Sequence, residues 1–203
     1  MKLCISAASP FARKVRVLLI EKQVPHELEV LNLWEPNELQ QTNPLGKVPA
    51  LVLDDGRVLT GSALIADWLD ERFPQPRFIP ADPDGRLEVR RWESVVDGVT
   101  DAVAASTYEL RFHDESTRSQ AWLARQRGKI DAGLAALERQ LGARHWLCGG
   151  SVTLADIAAG CLLGFVAART PHFFAASDHP GLARLARELE GRESFKATAP
   201  PPL

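Results

Sequence analysis

Apolar and polar positions alternate through much of the first third of the chain and recur at helical spacing in the rest. "KLCIS" (residues 2–6) is a short apolar run, and "ELEVLNL" (residues 27–33) is apolar at every second position, so both are predicted strands. Between them Phe11, Val15, Leu18 and Leu19 recur at helical spacing. Residues 49–53 and 57–59 flank "DDG", a glycine-containing hairpin turn. Leu64, Ile65, Trp68 and Leu69 then mark one stripe of a helix. The predicted order is strand, helix, strand, an irregular or short helical stretch, strand, strand, helix. A βαβ unit extended by a hairpin and a helix makes a small α/β layer.

Four prolines (Pro74, Pro76, Pro80, Pro83) then interrupt all periodicity, which predicts a linker over 76–85 between a domain of 1–75 and one of 86–203. Beyond it strand signals stop. Trp92, Val95, Val96, Val99 and Val103 follow helical spacing, as do Ile130, Leu134, Leu137 and Leu141. Residues 154–168 are apolar nearly all round, which predicts a buried central helix. Its Gly160-x-x-x-Gly164 predicts close packing there. Leu182, Leu185 and Leu189 mark a last helix before "APPPL", so the second domain reads as all-helical. "SVTLADIAAG" sets Thr153 and Asp156 at capping spacing, with Val152 and Ile157 as a hydrophobic staple, a structural device at the start of the buried helix.

Charge excludes some functions. The 24 Lys and Arg are interleaved with 26 Asp and Glu for a net charge of −2, so no nucleic-acid footprint is present. The densest basic spot, Arg13, Lys14 and Arg16, reads as the solvated face of a helix. Three scattered cysteines without a CxxC, and no histidine pair at ligand spacing, predict a reducing compartment and no metal. The longest uncharged apolar run, residues 157–168, is shorter than the roughly 20 residues a membrane span needs. The apolar start is too short for a signal peptide and "FARKVR" follows at once, so a cytoplasmic protein is expected.

One candidate for chemistry lies where the first strand meets the first helix, at Ser9-Pro10. As a nucleophile Ser9 would need a base, itself oriented by a third group. No G-x-S-x-G elbow occurs, and the nearest histidine in sequence is His26. Ser followed by Pro is also an ordinary helix start, with Ser as cap and Pro in the first turn. A third reading adds to the second: the positive end of a helix stabilises anions, thiolates included. A capping hydroxyl that accepts from the backbone keeps a proton to donate to a bound sulfur.

Three ordered segments carry a resemblance over the whole chain: "SPFARKVR" from Ser9, "NPLGKVPAL" over 43–51, and "GSALIADWL" from Gly61. Together they resemble the glutathione transferase superfamily, and "SPFARK" with the ending "RESFKATAPP" is most similar to its bacterial YibF-like branch. The resemblance implies an α/β thioredoxin-like N-terminal domain, a proline-rich linker and an all-α C-terminal domain. It implies glutathione as co-substrate, a small electrophile, a homodimer, a role in detoxification, and no metal. Ser9 matches the serine-type hydroxyl that donates to the glutathione sulfur. Val48-Pro49 matches a cis-proline turn whose Val48 backbone pairs with the cysteinyl unit. Lys47 is placed to meet the glycyl carboxylate, and Ser62 matches the residue for the γ-glutamyl carboxylate, in keeping with a helix N-terminus.

The chain departs from the family at Gly61, where an acidic or amide residue usually holds the γ-glutamyl ammonium. Losing a charge-assisted bond costs roughly 1.5–3 kcal/mol, so glutathione binding is expected to be weakened. Asp97 and Asp101, four apart on one helix face, are expected to compensate from a neighbouring subunit. The electrophile is expected near Phe11, Trp34, Thr107, Tyr108 and Arg111. Two rivals stand beside this reading. A glutathione-dependent thiol oxidoreductase would want a cysteine where Ser9 stands. A transferase-fold binding or regulatory protein without useful catalysis is the reading that Gly61 favours.

Overall fold

The computed structural model describes residues 1–201. Its first layer runs β1 (Lys2–Ile5), α1 (Pro10–Glu21), β2 (Glu27–Val30), α2 (Leu39–Thr42), β3 (Ala50–Val52), β4 (Val58–Thr60) and α3 (Ser62–Arg72). The sheet order is β2-β1-β3-β4, with β2 parallel to β1 and the last two strands antiparallel. Alternation along β1 divides its side chains between two faces. Leu3 and Ile5 join the main core with Val15, Leu19 and Ile65, whereas Cys4 packs with Leu39 and Ala50 in a small second cluster.

The expected alternation in β2 fails in part. The strand ends at Val30, and Leu28 and Val30 face solvent, Val30 at 61 % exposure. β2 is an edge strand and α2 is a single turn, too short to cover it; only Leu31 and Leu33 beyond it reach the second cluster.

α4 (Pro83–Phe112), α5 (Gln120–Leu141), α6 (Leu154–Arg169), α7 (Pro180–Glu190) and α8 (Glu193–Lys196) form the helical part. α4 begins inside the stretch read as linker, because Asp82 caps it at Gly85 N–H (2.7 Å) and Pro83 occupies its first turn. The segment from 73 to 82 is tightly held. Buried Asp70 accepts the amides of Phe78 (2.9 Å) and Ile79 (3.0 Å) and pairs with Lys22 Nζ (2.8 Å). Lys22 also donates to the carbonyls of Phe73 and Pro76.

α6 is buried on all sides, as its composition predicts. A Cβ on Gly160 would lie 2.7 Å from Leu189 and Phe195, and one on Gly164 would lie 2.2 Å from Arg13 Nη1. The glycines therefore admit α7, α8 and α1 to close approach. Asp156 accepts from Leu147 N–H (2.7 Å), Thr153 N–H (2.8 Å) and the Thr153 hydroxyl (2.7 Å), closing the capping box. Burial raises its pKa above the ordinary carboxylate value.

The basic cluster of α1 is not a solvated face. Arg13 and Lys14 are 5 % and 1 % exposed because α6 and α4 pack over them. Lys14 Nζ meets Glu93 (2.7 Å) and both oxygens of Asp97 (2.9 Å). Arg13 donates to the Phe195 carbonyl (3.1 Å) and lies over the Phe195 ring. Arg16 is half-buried and reaches the Ala197 carbonyl (3.2 Å). A first-domain helix thus presents its cations to the second domain, which sequence periodicity alone does not reveal.

Candidate active site

The site forms at the carboxyl end of β1, where the chain turns into α1. Ser9 caps that helix: its Oγ accepts Ala12 N–H at 3.2 Å, and its carbonyl accepts Arg13 N–H at 2.9 Å. Ser9 is half-buried, and its hydroxyl retains a proton to donate, beside the positive end of a 12-residue helix. His26 does not serve it, since the His26 ring is bonded to the Val24 carbonyl (2.8 Å).

The register brings the other candidates to the same end. Cys4 pairs with Ala50, so Val48 and Pro49 stand beside the exit of β1. Val48-Pro49 is cis. Among the described residues, neither the N–H nor the carbonyl of Val48 forms a backbone hydrogen bond, which leaves an open edge for an extended ligand. Asn43, whose part the sequence reading missed, shapes this loop. It is buried, donates to the Lys47 carbonyl (2.6 Å) and accepts from Leu45 N–H (3.2 Å). An asparagine just before Pro-Leu-Gly is the signal for such a side-chain-held turn. Lys47 itself is exposed.

Gly61 N–H donates to the Pro49 carbonyl (3.2 Å), which ties this loop to the start of α3. Ser62 is buried at the first position of that helix, and no side chain caps its first turn. Free amides on a positive helix end suit a carboxylate. Gly61 has φ +86° and ψ 133°, a region that residues with a Cβ rarely adopt.

Asp97 is committed to Lys14 of its own chain. Asp101 is exposed on α4; burial and the neighbouring Asp97 hold its carboxyl above the ordinary value, while the charges of Lys47, Lys129 and Lys14 pull it down.

The residues expected around an electrophile divide into two groups. Trp34, beyond β2, meets Tyr108 of α4 edge-on at 5.4 Å and Phe112 at 4.5 Å. Phe112, one helical turn past Tyr108, extends the expected set. The Arg111 guanidinium lies 5.5 Å from the Trp34 ring centre and 5.3 Å from that of Phe112. Burial raises the Tyr108 pKa. Phe11 lines the seam between domains with Pro10, Lys14, Asp97 and Thr100. Thr107 spends its hydroxyl proton on the Val103 carbonyl (2.8 Å).

None of the cysteines is poised as a thiolate. Burial, reinforced by Glu29, pushes Cys4 up to about 11, and burial pushes Cys148 and Cys161 up to about 12. No group of three potential metal ligands occurs among the described residues, and no described helix is long and apolar enough to cross a membrane.

A small mixed sheet with a serine-capped helix, followed by a helical domain, is the two-part plan of one protein class, and the comparisons agree. Residues 8–72 match the family model for the glutathione S-transferase N-terminal domain, and residues 120–188 match that for its C-terminal domain. The chain is 38 % identical over 202 residues to the uncharacterized GST-like protein YibF of Escherichia coli K12, covering 99 % of both chains. A glutathione S-transferase of Methylobacterium radiotolerans, solved with glutathione sulfonate, is 44 % identical at a TM-score of 0.93, covering 98 % of this chain and 94 % of that one. A second, from Methylobacillus flagellatus with glutathione bound, is 40 % identical at 0.95, covering 98 % and 99 %. The chain belongs to the glutathione transferase family.

Proposed function

We propose that the protein binds glutathione at the carboxyl end of its sheet and that Ser9 stabilises the glutathione thiolate for attack on a small electrophile. The observation that carries this reading is the state of the Ser9 hydroxyl. One lone pair takes Ala12 N–H, and among the described residues the hydroxyl proton has no acceptor, so it is left to donate to a ligand. A serine hydroxyl is far too weak an acid to act as a base. It acts by donating to the anion, which together with the helix end lowers the pKa of a thiol ordinarily near 8.5. The Val48 backbone, Lys47 and the open first turn of α3 with Ser62 would receive the cysteinyl, glycyl and γ-glutamyl parts. The two bacterial transferases solved with glutathione sulfonate and with glutathione support glutathione as the ligand of this fold.

Titrating glutathione calorimetrically into wild type and Ser9→Ala tests it. Binding in both, with the bound thiol pKa higher and kcat/KM lower by about tenfold or more in Ser9→Ala, is the expected result. That fold-change corresponds to one charge-assisted bond. Wild-type activity that survives Ser9→Ala unchanged overturns the role of the serine. Gly61 favours a second reading, a transferase-fold binding or regulatory protein, which absence of glutathione binding would support.

A further inference from the structure

Arg111 differs from the buried lysines of the first domain. Lys14 and Lys22 are each bonded to buried carboxylates. Arg111 is exposed and forms no ion pair among the described residues, and its guanidinium lies against two aromatic rings. Its neighbours do not neutralise it. Glu109, two residues earlier, is occupied by Ser119 N–H (2.8 Å) and His113 (3.2 Å).

Beside Arg111, the rings of Trp34, Tyr108 and Phe112 are each about half exposed, Trp34 at 52 %, and offer flat apolar faces. A guanidinium with no carboxylate partner keeps its planar fork of N–H donors for a ligand, and that fork receives a carboxylate through two N–H bonds.

We propose that the electrophile taken by this aromatic face is a flat, conjugated carboxylate, its apolar body laid against Trp34, Tyr108 and Phe112 and its carboxylate received by Arg111. The inference names the substrate class for the electrophile side of the site and rests on the transferase reading above.

The test uses a matched pair of probes, 3,5-dinitrobenzoate and 3,5-dinitrobenzamide, which differ in charge and little in shape. Calorimetric titration of each into the full-length protein, with and without saturating glutathione, is expected to favour the acid by tenfold or more. Arg111→Gln should reduce that preference to threefold or less, and Arg111→Lys should keep part of it. Equal affinity for acid and amide overturns the proposal. So does binding of neither probe, or a preference that survives Arg111→Gln. The glutathione titration is scored separately. Loss of glutathione binding overturns the parent reading, whereas the acid-to-amide ratio decides the substrate class whatever glutathione does.

Discussion

The buried cations of the fold and the exposed Arg111 are chemically alike and placed to opposite ends. Lys14 is 1 % exposed and meets two carboxylates from α4, and Lys22 is locked to Asp70 and two carbonyls. Arg111 lies in the open against aromatic rings with no acid in contact. A buried ammonium must be paired, because desolvation costs more than folding can spare. An exposed guanidinium is under no such constraint. Lys14 therefore ties the two domains together, Lys22 holds the linker to the first domain, and Arg111 stays free for a ligand.

The sharpest way to break this contrast is Lys14→Met. It leaves Glu93 buried and Asp97 unpaired, at an expected cost of about 3 kcal/mol, the low end for unpairing a buried ion. The cost sits at that end because Arg90 still holds one oxygen of Glu93. Urea denaturation measures it, and a loss below about 1 kcal/mol would mean the seam is not held by this pair.

Gly61→Gln probes the glutathione end of the cleft. A side chain at φ +86° costs on the order of 1–3 kcal/mol of stability, while an amide there can accept from the γ-glutamyl ammonium. Thermal unfolding and glutathione titration together should show stability falling as affinity rises. A variant that loses stability and gains no affinity would show that Gly61 is not the weak point of glutathione binding.

A smaller effect is expected at Glu21, which accepts from Arg192 at 2.8 and 2.7 Å and also takes the Ser194 hydroxyl, joining α1 to the start of α8. The Arg192 bonds hold its carboxyl below the ordinary glutamate value. A depressed carboxylate contributes stability above its unfolded pKa, near 4.3, and loses it as pH falls through the lower folded value. Glu21→Gln should therefore flatten the acid limb of the stability profile below about pH 4.5, by on the order of 1 kcal/mol or less because the pair is partly exposed. An unchanged acid limb would contradict the linkage.

The smallest stability change is expected at Arg111→Gln, within about 0.5 kcal/mol, as for a surface residue without a structural partner. Comparing its melting curve with that of Lys14→Met completes the contrast. A large loss here would place Arg111 with the seam.

The fold was legible in the chain, and so were the local features on which the candidate site is built. Alternation gave the small sheet, 3.6-residue spacing gave the long helices, and Ser9-Pro10 and Thr153-x-x-Asp156 announced their caps. These features are local, set by backbone sterics and by hydrogen bonds a few residues apart. What the chain could not declare depends on which surfaces meet. Arg13 and Lys14 read as solvated because their own helix gives no sign that α6 and α4 will cover them. Leu28 and Val30 read as half-buried because alternation does not say that β2 is an edge. Asp97 reads as a free carboxylate until Lys14 reaches it from the other domain, and Phe11 is drawn into the seam while Phe112 joins Trp34. Local pattern fixes which elements form and where they are capped. Only packing decides which charges lose their water, and so which must be paired within the protein and which remain for a ligand.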